Sequence, residues 1–243
     1  MRPVDKGMQH KTYERYQDAS KDLTNRLGFM CSYCEMNISN LPAVEHVKPK
    51  SKNPALKNKW SNFLISCTYC NSAKSDRNDD RKGYFFPDEC NTAYIFRWSK
   101  DKVVEPNASL SISEKLIAEN TIDLLKLNLT SLQARKLNRK TNRENLREQA
   151  WSTAELQLDY FKQICSVLAK KDNADELIRK CAKSIAVGID HHVSIYMKVF
   201  EDEPVMLNEI INCSKGIRKS CFQADGKPKQ TIGIDKEDVA SFT

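Results

Sequence analysis

Two cysteine pairs carry the strongest chemical signal in the chain, Cys31-Ser32-Tyr33-Cys34 and Cys67-Thr68-Tyr69-Cys70. Each C-x-x-C knuckle presents two thiolates to one ion, and two knuckles together complete the tetrahedral sulfur set that zinc prefers. A structural zinc of this kind contributes on the order of 10 kcal/mol to folding, so a short segment with little apolar core can still be rigid. Cys90, Cys165, Cys181, Cys213 and Cys221 show no comparable pairing and read as small buried apolar residues.

Three stretches between and just after the knuckles hold further reactive side chains: Glu45-His46-Val47-Lys48-Pro49, Trp60-Ser61-Asn62-Phe63-Leu64 and Asn71-Ser72-Ala73-Lys74. Glu45 and Asn71 offer hard oxygen donors, which suit Mg²⁺ or Mn²⁺ better than zinc. An imidazole such as His46, with an ordinary pKa of about 6.5, accepts a proton from water at neutral pH. Lys48, Lys50, Lys52, Lys57 and Lys59 crowd the connection between the first two stretches, as a phosphate-contacting loop or as a solvated lysine-rich one. Trp60 reads as core packed against the knuckles.

In this order and at these intervals the three stretches resemble the HNH nuclease family in its cysteine-flanked form. The resemblance implies metal-dependent hydrolysis of a phosphodiester bond, leaving a 5′-phosphate. It assigns His46 to activate the attacking water, Glu45 and Asn71 to hold one Mg²⁺ or Mn²⁺, and Asn62 to brace the loop that orients His46. Lys74, one helical turn beyond Asn71, is a candidate for contacting the scissile phosphate or a neighbouring one.

A wider resemblance rests on Met1-Arg2-Pro3-Val4-Asp5-Lys6-Gly7, on the aromatic segment after Phe86-Pro87-Asp88, and on Thr121-Ile122-Asp123-Leu124-Leu125-Lys126-Leu127-Asn128. These look like the HNH subunit of the Septu anti-phage system and its retron-associated relatives. That likeness implies an ABC-type ATPase partner, and in the retron-associated case a reverse transcriptase with its msDNA.

The supporting elements follow from the rest of the pattern. Lys11 to Leu27 carries Tyr13, Tyr16, Leu23 and Leu27 at helical intervals and stops at Gly28, predicting one amphipathic helix that leads into the first knuckle. Pro42, Pro49 and Pro54 prevent a long helix before Trp60. Ala93 to Trp98, a turn at Ser99-Lys100-Asp101, then Lys102 to Val104 read as a β-hairpin.

Helices are expected over Ser113 to Leu127, Ser131 to Leu168 with a break, and Ala174 to Val199. The last of these would carry His191-His192 as structural or interface residues, too far apart in angle to share an ion. Ile122, Leu125, Leu129 and Leu132 form an apolar stripe; Lys136, Arg139, Lys140, Arg143 and Arg147 form a basic face that either guides nucleic acid or is simply solvated. Asp225 to Thr243 reads as a loose tail with one short strand at Thr231 to Ile234.

Composition is consistent with this picture. The 243 residues are 40% hydrophobic, enough for a sizeable core, and 39 Lys plus Arg against 32 Asp plus Glu give a net charge of +7 that favours a polyanionic partner. No apolar run suits a membrane span, and Met1 to Lys6 lacks the features of a secretory signal, so a cytoplasmic protein with metal-bound rather than disulfide-bound cysteines is expected.

The fold class that follows is α+β and mostly helical. A zinc-pinned ββα-metal core occupies residues 1–110 with the N-terminal helix and hairpin, and a helical, partner-binding unit occupies 111–243. DNA is favoured over RNA as substrate; the alternatives are an RNA-cleaving (tRNA-cleaving) effector and a non-catalytic zinc module that recruits nucleic acid.

Overall fold

Prolines at 42 and 49 bracket a strand too short to stand alone, Ala43–His46 (β1). It pairs antiparallel with Phe63–Ser66 (β2), whose Phe63, Leu64 and Ile65 are all buried, the pattern of a strand covered on both faces. Register sets His46 opposite Phe63 and Glu45 opposite Leu64. Cys67 then starts the helix Thr68–Lys74 (α2) by accepting the Cys70 N–H on its sulfur at 3.3 Å, so the second knuckle is itself a helix N-cap. Strand, strand and helix thus form a ββα unit. The computed structural model of the chain describes residues 1–8, 11–136 and 141–234.

The helix expected from Lys11 begins later. Tyr16–Ala19 form a 3-10 turn and Ser20–Leu27 the helix proper (α1), ended at Gly28 with φ +75°. The residues before it are drawn out because Tyr13 stacks on Trp60, ring centroids 6.0 Å apart. Trp60 is core as expected; it packs on Tyr13 and Arg26 and donates to the Gly7 carbonyl.

The hairpin forms with a correction. Thr92–Ile95 is one helical turn (α3), held by Asn107 donating to the Tyr94 carbonyl, and only Phe96–Trp98 (β3) and Val104–Pro106 (β4) pair as strands. Ile112–Leu124 (α4) starts at a complete capping box of Ser111 and Glu114 and ends before Lys126, which adopts φ +48°. The break in the next helix separates Ser131–Lys136 (α5) from Arg143–Leu168 (α6).

The segment expected as one helix over 174–199 is two, Ala174–Val187 (α7) and Val193–Val199 (α8). Gly188 and His192, at φ +48°, turn the chain between them, so His191 and His192 lie in a turn and not on a helix. Pro204–Cys213 (α9), with its proline in the first turn, was not foreseen and packs on α7.

The core runs without a break across residue 110, from Leu23 and Ile65 to Trp151, Phe200 and Ile210. Residues 225–234 are tied in rather than loose: Asn91 takes the Lys229 carbonyl at 2.9 Å and the Ile232 carbonyl at 2.8 Å. The expected strand at Thr231 to Ile234 is reduced to a single bridge, Gly233 to Cys90. The rest of the expected tail, 235–243, lies outside the described residues. No described helix is long and apolar enough to cross a membrane.

One buried carboxylate joins the first knuckle to the helical half. Glu35, fully buried at φ +61°, accepts the Ser194 N–H at 2.8 Å and hydroxyl at 2.7 Å, as well as the Arg2 N–H, and its own carbonyl accepts from His192 at 2.7 Å. Glu35→Ala keeps the carbonyl that His192 uses but strands the Ser194 and Arg2 donors in the interior, and is expected to lower unfolding free energy by about 3–5 kcal/mol, measured by urea denaturation with tryptophan fluorescence. A loss below about 1 kcal/mol would show that the junction holds nothing together.

Candidate active site

The four knuckle sulfurs come together as one buried cluster, all ligand atoms within 4.8 Å of one another and Cys34 Sγ 3.6 Å from Cys67 Sγ. Tetrahedral zinc with Zn–S bonds of about 2.3 Å needs sulfurs about 3.8 Å apart, so the donor set fits in both identity and spacing. Burial pushes the Cys31 thiol well above its ordinary pKa, while hydrogen bonds from Cys31, Cys67 and Cys70 hold Cys34 well below. A bound dication would take all four as thiolates.

A cation is also built in beside the sulfurs. Arg143, at the start of α6, is 1% exposed, lies 3.9 Å over the Tyr69 ring, donates to Cys70 Sγ at 3.7 Å and reaches the Lys126 carbonyl. Burial would lower its pKa, but the charge on Cys70 and Cys34 outweighs burial and raises it. Arg147, one turn on, lies 4.9 Å over the Trp98 ring and binds the Leu127 carbonyl. These two residues correct the expected basic face: they are spent inward, on the knuckle and the hairpin. Lys136 is exposed, and Arg139 and Lys140 fall outside the described residues.

Beside the zinc-type cluster, His46, Glu45 and Asn71 line one cleft of about 270 Å³. The His46 ring is 7% exposed, held edge-on by Tyr16 at 4.7 Å and by Phe63 at 5.3 Å between centroids. Its Nε2 lies 2.8 Å from the Lys57 carbonyl oxygen. A carbonyl only accepts, so Nε2 carries the proton and Nδ1 keeps its lone pair. Burial lowers the imidazole pKa, only partly opposed by that hydrogen bond, and nearby Lys50, Lys74 and Lys57 lower it further, so the ring is neutral at pH 7. A neutral ring with one fixed donor and one free lone pair is a poised base.

The main chain leaving β1 is gripped at successive residues. Lys74 Nζ donates to the His46 carbonyl at 2.8 Å, Asn78 Nδ2 to the Val47 carbonyl at 2.9 Å, and Asn62 brackets Lys48, accepting its N–H at 2.8 Å and donating to its carbonyl at 2.9 Å. Asn78 and the Lys57 carbonyl escaped the sequence reading, and neither had a signal there: one is a lone amide in a polar turn, the other is backbone.

Glu45 and Lys74 form a buried ion pair at 2.9 Å, and Tyr33, inside the first knuckle, donates to the same carboxylate oxygen at 3.4 Å. Burial pushes the Glu45 pKa up and Lys74 offsets part of the rise. The phosphate contact expected of Lys74 does not suit this placement, because its ammonium is fully buried and already occupied by Glu45 and the His46 carbonyl. His192 is fully buried with neither ring nitrogen hydrogen-bonded, and burial takes its pKa down to about 4.

Residues 31–77 match the HNH endonuclease family model, a stretch that contains both knuckles together with Glu45, His46, Asn62, Asn71 and Lys74, but neither Tyr16 nor Asn78. A domain of that kind implies nuclease chemistry in general. No curated protein matches the chain.

Arg143 is the one cation among the described residues seen donating to a knuckle sulfur. Its replacement by alanine is expected to weaken zinc binding about 10–100-fold, the usual cost of removing an outer-shell partner. Competition with a chromophoric chelator measures this directly; unchanged affinity would mean that the guanidinium only fills space.

Proposed function

We propose that this chain is a metal-dependent endonuclease in which His46 Nδ1 takes the proton of the water that attacks a phosphodiester. The observation that carries the reading is the His46 Nε2 to Lys57 carbonyl hydrogen bond at 2.8 Å, since it leaves the opposite nitrogen as the base in a cleft shared with Glu45 and Asn71. Phe63 and Tyr16 keep the ring from turning, and Asn62, Asn78 and Lys74 hold the backbone that carries it.

A carboxylate and an amide oxygen in one cleft are a donor set that fits a hard cation. Glu45 and Asn71 would hold Mg²⁺ or Mn²⁺, which when bound takes up charge on the phosphate and the leaving oxygen. Lys74 offsets part of the rise that burial imposes on the Glu45 pKa and fixes the direction of the carboxylate, and is in this reading a positioning group. Lys50, which lines the cleft, would contact phosphate there, and Lys48, Lys52, Lys57 and Lys59 on the same connection would add further contacts, Lys48 half-buried and the rest exposed.

DNA is the favoured substrate and RNA the alternative, because no residue named here reads the sugar. The likeness to Septu-type HNH subunits supports a defence role with an ABC-type ATPase, docked on the helical half of the chain. Leu156, Tyr160 and Val167, exposed along one face of α6, offer such a partner an apolar stripe. Cytoplasmic residence suits nine cysteines of which none is disulfide-bonded.

Incubation with plasmid DNA and with tRNA, in Mg²⁺ or Mn²⁺, tests the reading. His46→Ala is expected to cut the cleavage rate by about 10²–10⁴-fold with zinc content unchanged. Equal rates for the variant and the native chain would remove His46 as the base. Binding of either nucleic acid without any cleavage, with and without the ATPase, would favour the non-catalytic zinc module.

A further inference from the structure

Tyr16 touches the cleft from outside the matched stretch 31–77, and nothing in the HNH pattern calls for it. It sits at the start of the 3-10 turn before α1, a place set by the late start of that helix. Two contacts converge on it. Its ring meets the His46 imidazole edge-on at 4.7 Å, and its hydroxyl accepts from Lys50 Nζ at 2.8 Å while the same ammonium stands 4.2 Å from the ring centroid. A lysine ammonium on a flexible stem ordinarily samples many positions. Here one aromatic side chain gathers it onto the cleft rim beside His46.

Resting on the nuclease reading above, we infer that Tyr16 is a positioning residue that holds Lys50 Nζ over the cleft to receive a backbone phosphate of the nucleic acid. The ring and the hydroxyl divide the work. The ring, with Phe63, closes the slot around the imidazole; the hydroxyl directs the cation. Lys50 is exposed and Tyr16 half-buried, so their hydrogen bond contributes little to folding and its loss should leave the zinc core intact. Lys52, the neighbouring rim lysine, is instead engaged by Asp79 at 2.6 Å, which leaves Lys50 as the better placed of the two to meet phosphate.

Two variants separate the parts: Tyr16→Phe keeps the ring and removes the hydroxyl, and Lys50→Ala removes the cation. Binding to a fluorescent DNA or RNA duplex is followed by anisotropy over a range of salt, without added divalent metal, alongside steady-state cleavage. Lys50→Ala should flatten the plot of log affinity against log salt by about one unit, the mark of one lost phosphate contact. Tyr16→Phe should shift in the same direction, and the double variant should bind no worse than Lys50→Ala alone. In cleavage both should raise KM and leave kcat near native, because an interaction made equally to substrate and transition state has been removed. Lys50→Arg should restore the salt slope.

A native salt slope in Lys50→Ala would overturn the proposal, as would additive losses in the double variant. Absence of cleavage by the native chain on both substrates would sink the nuclease reading instead, and the binding data would still decide the role of Tyr16.

Discussion

Four buried thiols from two distant points in the chain stand within reach of one ion, and the remaining geometry of the cleft hangs from that closure. Each knuckle does more than supply sulfur. Tyr33, between the first pair, touches Glu45; Cys67, in the second, caps the helix that carries Asn71 and Lys74; and Tyr69 takes the guanidinium of Arg143. A two-stranded hairpin is marginal in water by itself. Here a metal-type cross-link, continued through aromatic and charged neighbours, adds to the apolar burial of Val44, Val47, Phe63, Leu64 and Ile65.

The same closure explains why the helical half is not an appendage. Arg143 and Arg147 enter from α6 to lie on Tyr69 and Trp98, and Ser194 and His192 grip Glu35 beside the first knuckle. Four thiolates around a dication carry net negative charge, and a buried guanidinium is the natural counter-charge in an interior where an unpaired ion is costly. Charged contacts thus join the two parts of the chain alongside the apolar packing.

The cysteine pairs and the Glu45-His46 step were legible in the sequence because their chemistry is encoded in local spacing. Strand β2 was foreseen only through the ββα core that the family resemblance implies. What was not legible depends on which way a side chain faces. Lys74, Arg143 and Arg147 look like surface cations by type, since such residues are rarely buried unless paired, and only the fold reveals the carboxylate, sulfur and carbonyl groups that receive them. The break before α8 rests on His192 adopting a left-handed conformation, which periodicity does not report. The tautomer of His46 is set by a backbone oxygen at Lys57, and no residue type announces that.

The most direct measurement is X-ray absorption at the zinc edge on freshly purified protein, with the metal content of the same sample. One zinc per chain, surrounded by four sulfurs at about 2.3 Å, is the result this structure requires. A protein that folds with no zinc, or a first shell containing nitrogen or oxygen in place of one or more sulfurs, would contradict it.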